Sequence, residues 1–354
     1  MSRVDPLLPV AADDPLLDQA ALRAHLAGAL NWDGAGLRIE GRFPGGNANI
    51  CFALHYQGRD YVLRRPPAGK LPPKSHDMGR EFRILRHVHP QFPLAPQPVH
   101  FCEDAAVLGA PFLLMDRRRG IVLRDQHAAE LARDPARNAG ISRTLVKTLV
   151  RFHQISPAGM IEDRLGRPDG FVARQWQNWS QRTIAQGLVD PAVQQISGWL
   201  AENLPPDSPA TVVHNDYKLD NLMMAADDWT RPVALLDWDL CSVGDPLFDL
   251  GILLTYWVDP GDPQDWRLGA SMPTYVGGFL TRREVAALYG QLSGRSLERL
   301  PWYLLFANFR VIVALSQIYD RYLATGQGPA HFAQMGERIG IIKRKCLHLM
   351  QHGF

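Results

Sequence analysis

Near residue 117 the hydrophobic period of this chain changes, and few folds accommodate such a change. Upstream, two β-like runs, ICFALHY (50–56) and DYVLRRP (60–66), are followed by a helical stretch, DMGREFRILRHV (77–88), and then by PVHFC (98–102) and PFLLMD (111–116). That order is strand, strand, helix, strand, strand. Downstream the spacing is mostly helical: ISRTLVKTLVRFHQI (141–155) sets Leu145, Leu149 and Phe152 on one face, and the same spacing recurs over 284–292 and 332–349. The expectation is a small sheet-rich lobe of residues 1–116, with an N-terminal helical segment, followed by a larger, mostly helical lobe of residues 117–354. At 354 residues and 46% hydrophobic content the chain can bury a core in each lobe. No internal repeat or low-complexity linker interrupts it.

Charge and cysteine usage exclude several function classes. A net charge of +2 gives no bulk attraction to nucleic acid or to an anionic membrane. Cys51, Cys102, Cys241 and Cys346 lie far apart and form no CxxC pair, which argues against a zinc site or a redox motif and for reduced thiols in a cytoplasmic protein. The opening MSRVDPLLPVAADD has no apolar core of a secretion signal. The most apolar late stretch, WYLLFANFRVIVALSQIYDRY (302–322), carries Asn308, Arg310 and Asp320, so it reads as a buried helix rather than a membrane span.

The stretch VVHNDYKLDNLMM (212–224) packs His214, Asp216, Lys218, Asp220 and Asn221 between two apolar ends. An Asp two residues after a His and five before an Asn has the spacing H-x-D-x-x-x-x-N of a phosphoryl-transfer loop. The chemistry needs those types at that spacing: the Asp meets an acceptor hydroxyl and takes its proton, while the Asn amide oxygen reaches a metal on the phosphate side. The alternative is an Asx-rich turn after a strand. Sixteen residues after Asn221 comes Asp237, at the end of the apolar run PVALLD (232–237), with the turn-like AADDWTRP (225–232) between. A β-hairpin there brings Asp237 to the metal-binding position, and an amide oxygen with a carboxylate suits Mg²⁺. Asp239 reads as a turn residue, Asp245 as a helix N-cap and Asp249 as an anchor for the loop.

The small lobe offers matching features for a nucleotide. GRFPGGNANICFAL (41–54) joins a Gly-Gly turn to a strand, so that the backbone at Gly45, Gly46 and Asn47 can approach phosphates; a plain hairpin turn is the alternative. Arg64 is the first basic residue of the next strand, and Glu81, in the middle of the following helix, is its expected ion-pair partner; a solvated arginine pair and a surface Glu would be the other reading. PFLLMDRRRG (111–120) reads as an edge strand running into a hinge, with Leu114, Met115 and Asp116 exposing backbone groups to an adenine ring.

In their order these motifs, from the glycine turn through YVLRRPP, REFRIL, GAPFLLM, HNDYKLDN and LLDWDL to GDPLFDL, resemble the aminoglycoside phosphotransferase family, and within it the kinase-type domains associated with acyl-CoA dehydrogenases. The resemblance covers residues 42–257. It implies an α+β, protein-kinase-like two-lobe fold and transfer of phosphate from ATP, with GTP as the alternative donor, to a hydroxyl of a small molecule. It implies Asp216 as catalytic base, Lys218 as the γ-phosphate lysine, Asn221 and Asp237 as magnesium ligands, Glu81 as the helix acid and Arg64 in place of the strand lysine. Two departures stand out: Arg64 is a planar fork where the family has a point charge, and Asn215 replaces a glycine.

The acceptor follows from charge. Arg117, Arg118, Arg119, Arg124, Arg174 and Arg182 precede the loop with few glutamates to balance them, which disfavours a polycationic acceptor and favours an anionic one, unless these arginines are only a solvated surface; the resemblance to the acyl-CoA dehydrogenase-associated domains implies a hydroxyacyl-CoA as such an acceptor. FVARQWQNWSQRTIAQG (171–187) reads as a cap over that acceptor, with Trp176 and Trp179 as core residues. The alternatives are an aminoglycoside antibiotic kinase and a nucleotide-binding pseudokinase serving as an interaction module. A protein kinase is disfavoured, because the chain between Asp237 and Asp249 is too short for a peptide-binding activation segment.

Overall fold

Alternation along the strands builds the first sheet. In the computed structural model, which describes residues 7–44, 49–67, 76–188, 190–269 and 272–353, five antiparallel strands, β1 (Arg38–Arg42), β2 (Ile50–Tyr56), β3 (Arg59–Arg65), β4 (Pro98–Cys102) and β5 (Phe112–Asp116), lie in the order β1-β2-β3-β5-β4. Gln57 and Gly58, both at positive φ, make the two-residue turn that joins β2 to β3 with Tyr56 opposite Arg59. Both positive angles match the right-handed twist of the flanking strands. Every second residue, Phe52, Leu54, Tyr56, Tyr61, Leu63, Phe112 and Leu114, joins Leu22 and Leu26 of the Gln19–Leu30 helix in one buried cluster.

Period 2 puts Arg64 on the face opposite Leu63, toward the Met78–Val88 helix. That helix buries Met78, Glu81, Ile84, Leu85 and Val88, an i, i+3, i+6, i+7, i+10 stripe with one carboxylate in it. Asp77 caps it, accepting from the Arg80 N–H at 2.8 Å.

The expected edge position of the 111–120 segment is corrected. β5 is an interior strand, paired with β3 on one side and β4 on the other. Beyond the ladder, the Asp116 N–H donates to Gln97 O and the Arg117 N–H to Asp60 O, both at 2.9 Å. An interior strand spends its backbone groups on its neighbours, so Leu114, Met115 and Asp116 do not present a row of open ones.

The chain forms two compact units. The first takes in Met1–Ile121 together with Met223–Asp228 and Pro232–Leu240, so the later hairpin folds with the early sheet. Its strands Leu222–Met224 and Pro232–Leu235 lie side by side, the Leu235 N–H donates to Leu94 O at 2.8 Å, and Trp238 is buried beside Phe92. At Gly120 a Cβ would sit 2.3 Å from Met224 O, which leaves room for glycine alone.

The second unit comprises Val122–Leu222, Trp229–Arg231 and Cys241–Phe354, and is mostly helical. Its centre is the Leu247–Tyr256 helix, buried from Leu247 to Thr255, which crosses the Leu300–Thr325 helix. A Cβ on Gly251 would lie 2.7 Å from Tyr303 O, so the missing side chain lets the two helices touch. Leu300–Thr325 is long and apolar enough to cross a membrane, yet 61% of its apolar window is buried within the chain, as expected of a core helix. Asn308, inside that window, donates to Leu304 O and Thr255 Oγ1. The expected 332–349 helix begins later: Ala330–Gln334 is a 3₁₀ turn, and the α-helix runs over Met335–His352. The buried strand Thr211–Val213, paired antiparallel with Ser242–Gly244, leads into the polar loop.

Candidate active site

In the second unit the loop after Val213 is pinned by one buried carboxylate. Asp249, in the first turn of the central helix, accepts the His214 N–H at 2.7 Å and the Asn215 N–H at 2.6 Å, and contacts His153 Nε2 at 3.1 Å. His153 in turn contacts the Tyr289 hydroxyl at 2.8 Å through Nδ1. Asp249 is fully buried, so these charge-assisted bonds compensate its desolvation. Asp245, one residue before the Pro246 cap, accepts from the Leu247 N–H at 2.9 Å and from the Tyr303 hydroxyl at 2.7 Å. Both aspartates thus organise the start of this helix. Asn215 sits at φ 64°, in the left-handed region, where glycine is the easiest residue and asparagine among the next best. That explains why the change from glycine is accommodated.

The loop closes on Asp216. The 3₁₀ turn Leu219–Asn221 carries Asn221 back so that its Nδ2 donates to Asp216 O at 2.8 Å and to Asp216 Oδ2 at 2.9 Å. Lys218 Nζ donates to both carboxylate oxygens, at 3.0 and 2.9 Å. Burial pulls the Lys218 ammonium down, but Asp216, the Tyr256 phenol and Asp220 outweigh it and leave its pKa raised. The Tyr217 hydroxyl ties the loop to Leu145 O at 2.7 Å. Tyr256, at the end of the central helix, lies under the Lys218 ammonium at 5.0 Å from ring centre to nitrogen.

Arg310 closes this group from the Leu300–Thr325 helix. Its Nη2 is 3.5 Å from Asn215 O, the residue before Asp216, and its guanidinium is 5.2 Å from the centre of the Trp179 ring, which Arg182 approaches at 4.3 Å. Burial lowers the Arg310 pKa, with Asp216, Tyr256 and Asp249 opposing it and Arg182 adding to it. Tyr256 and Arg310 were missed as site residues by the sequence reading. The one signal for Arg310 was a lone charge in an otherwise apolar helical run. Trp179, read as core, is half-buried between two arginines.

In the first unit Arg64 joins two acids. Nη1 is 3.1 Å from Glu81 Oε1 and Nη2 is 2.9 Å from Asp237 Oδ1. Burial pushes the Glu81 carboxyl up to about 7 against the pull of Arg64, while Arg64 itself is raised because Glu81 and Asp237 outweigh its desolvation. Arg64 is 8% exposed and Glu81 1%, which removes the solvated-arginine reading. Arg65 is also buried and bonds Leu108 O at 2.7 Å. Asp239 lies in a turn, its carbonyl accepting from Arg80 Nη1 at 2.8 Å.

The arginines expected to favour an anionic acceptor are mostly spoken for. Arg117 pairs with Glu40 at 2.7 Å, Arg118 with Asp116 at 2.8 Å and Arg119 with Asp60. Arg174 folds onto the Asp169 and Arg167 carbonyls, Arg124 is exposed, and Arg182 lies over Trp179. Gly45, Gly46 and Asn47 lie outside the described residues.

Each unit carries one oxygen donor of the kind a hard cation takes. With Nδ2 of Asn221 committed to Asp216, its amide oxygen is turned away from that carboxylate, and the Asp237 side chain is 40% exposed. Both offer oxygen only, the ligand type Mg²⁺ takes.

Comparison with known proteins shows the family. A model of the phosphotransferase enzyme family matches residues 41–291. The chain belongs to that family. Human acyl-CoA dehydrogenase family member 11 is 30% identical over 86% of the chain, and the chain spans about a third of the length of the curated relatives it matches. A crystal structure of a candidate aminoglycoside phosphotransferase from Ralstonia eutropha JMP134 superposes with a TM-score of 0.78 at 26% identity, covering 94% of this chain and 98% of that one. An aminoglycoside phosphotransferase APH(4)-Ia, solved with ADP and hygromycin B, shares the fold at a TM-score of 0.58 and 15% identity, over 92% of this phosphotransferase and 98% of that chain. The two-lobe kinase-like fold and small-molecule phosphotransferase activity follow from the family.

Proposed function

We propose that this phosphotransferase moves the γ-phosphate of ATP to a hydroxyl of an anionic small molecule such as a hydroxyacyl-CoA. The observation that carries the reading is the Asp216 carboxylate, held by Lys218 and Asn221 on a loop that Asp249 fixes from below. A carboxylate fixed in that way orients an acceptor hydroxyl and takes its proton as the oxygen bonds to phosphorus and ADP leaves. Lys218 already lies at the carboxylate and offsets phosphate charge as transfer proceeds. Arg64, kept charged by Glu81 and Asp237, places a forked donor for phosphate oxygens. Asn221 and Asp237 would hold Mg²⁺, which supplies charge neutralisation at the phosphates.

The acyl-CoA part of the proposal rests on the relatives, which are named for acyl-CoA dehydrogenases. The test is a screen of the full chain with Mg-ATP or Mg-GTP against hydroxyacyl-CoA thioesters, free hydroxy acids, neutral polyols and kanamycin, scored by nucleoside diphosphate release and product mass. ADP release driven by an anionic acceptor, with a product heavier by one phosphate, supports the reading. Efficient phosphorylation of kanamycin with no response to any anionic acceptor would make the chain an aminoglycoside kinase instead.

A further inference from the structure

We propose that Arg310 is the residue that reads an anionic oxygen on the acceptor, a carboxylate or a phosphate, and holds it beside Asp216 so that the acceptor hydroxyl meets the base. This rests on the functional reading above and deepens it.

Two cations share one aromatic ring. Among the described residues neither Arg310 nor Arg182 forms an ion pair, yet both approach the single Trp179 ring, at 5.2 and 4.3 Å. Two guanidinium groups on one indole repel each other, and burial and Arg182 are offset only in part by Asp216 and Asp249, so that the Arg310 pKa stays lowered. The Arg310 Nη1 atom is buried without a hydrogen-bond partner. Its Nη2 has only the Asn215 carbonyl, at 3.5 Å, the outer limit of a hydrogen bond. An arginine is a five-donor fork that no environment deprotonates at neutral pH, so the open donors keep their charge.

Position supplies the rest. The Asn215 carbonyl immediately precedes Asp216, and Tyr256, whose ring underlies Lys218, also lies within electrostatic reach of Arg310. The guanidinium therefore belongs to the surroundings of the base, where an acceptor must stand, and its unpartnered Nη1 is the donor such a ligand would satisfy. A planar fork there takes two oxygens of one anionic group in parallel, which fixes orientation as well as charge. Of the arginines the sequence offered for this role, Arg117 to Arg119 are paired with Glu40, Asp116 and Asp60 and Arg174 folds onto backbone carbonyls, whereas Arg182 shares the Trp179 ring with Arg310 beside the base.

The test titrates the intact chain, loaded with Mg²⁺ and the non-hydrolysable analogue AMP-PNP, with three probes that share one chain and one hydroxyl: ω-hydroxyhexanoate, its CoA thioester and its neutral primary amide. The wild type should bind at least one charged probe tenfold or more tightly than the amide, and which one identifies carboxylate or CoA phosphate as the anion read. Arg310→Gln should lose tenfold or more for that probe and nothing for the amide, with partial rescue in Arg310→Lys. Equal affinity of the wild type for all three, or an equal loss on the amide, would overturn the proposal, the second outcome marking a structural role. If Arg310→Gln loses its melting transition, Arg310→Lys carries the comparison: weaker binding of the charged probe alone supports the proposal, and unchanged binding overturns it. A charged probe bound through Arg310 that receives no phosphate from ATP refutes the functional reading and leaves this inference standing. Phosphate transfer to a charged probe with unchanged KM in Arg310→Gln refutes only the inference.

Discussion

At the scale of single residues, the two acids of the site differ in what surrounds them. Asp216 is held by an ammonium and an amide, all from its own loop, and its removal should act on chemistry rather than on nucleotide binding. Asp216→Asn is expected to lower kcat by about 10²- to 10⁴-fold, the range of a positioned general base, with ATP affinity near that of the wild type; steady-state kinetics and nucleotide titration measure the two separately. Arg64 and Glu81 are a buried pair, and removing Arg64 strands Glu81 at a cost of roughly 3 to 5 kcal/mol, whereas removing Glu81 leaves Arg64 with Asp237. A double-mutant cycle on ATP affinity should therefore show coupling between them, and strictly additive losses would assign Arg64 to Asp237 alone.

At the scale of elements, two helices carry predictions. The Leu247–Tyr256 helix supplies Asp249 to the loop and meets the Leu300–Thr325 helix across Gly251. Gly251→Ala puts a methyl group against the Tyr303 backbone and should cost about 1 to 3 kcal/mol of stability, with a fall in kcat as the loop anchor shifts; denaturant melts and turnover on the same sample check both. In the Met335–His352 helix, Lys345 is buried, donates to Thr255 O at 2.8 Å and lies 5.2 Å from the Trp266 ring. Burial, reinforced by Arg282, lowers its pKa to about 8 from the usual 10.5. The folded state thus binds this proton less tightly than the unfolded chain. Its penalty is complete below about pH 8 and is relieved as pH rises from there toward about 10.5. Lys345→Met should therefore stabilise the protein at pH 7, by at most about 3 kcal/mol, and flatten the rise in stability between about pH 8 and 10.5; urea melts across that range show whether it does.

At the scale of the whole molecule, a net charge of +2 leaves little long-range field, so recognition of the anionic acceptor proposed above would have to be local. Raising ionic strength from about 0.01 to 0.15 M shortens the Debye length from about 30 to 8 Å. The expected result is a several-fold rise in KM for the anionic acceptor with little change in kcat, and a KM indifferent to salt would show that the acceptor is read without charge. The sequence by itself determined the order of strands and helices, the change of period near residue 117, the Asp77 to Val88 stripe that turns Glu81 inward, and the loop in which Asn221 returns to Asp216 five residues back. Each depends on neighbours within about a dozen residues, where side-chain period and backbone preference already limit the choices. Tertiary structure alone decided that β5 is interior, that the Asp237 hairpin folds with the first sheet, and that Arg64 bonds Asp237 across 173 positions. It also decided that His153 stands behind Asp249 across 96 positions and that Arg310 reaches Asn215 across 95. No local pattern encodes these meetings, because they come from closing the chain around two cores, and the same apolar periodicity that buries a helix leaves open which distant charge it will bring to the site.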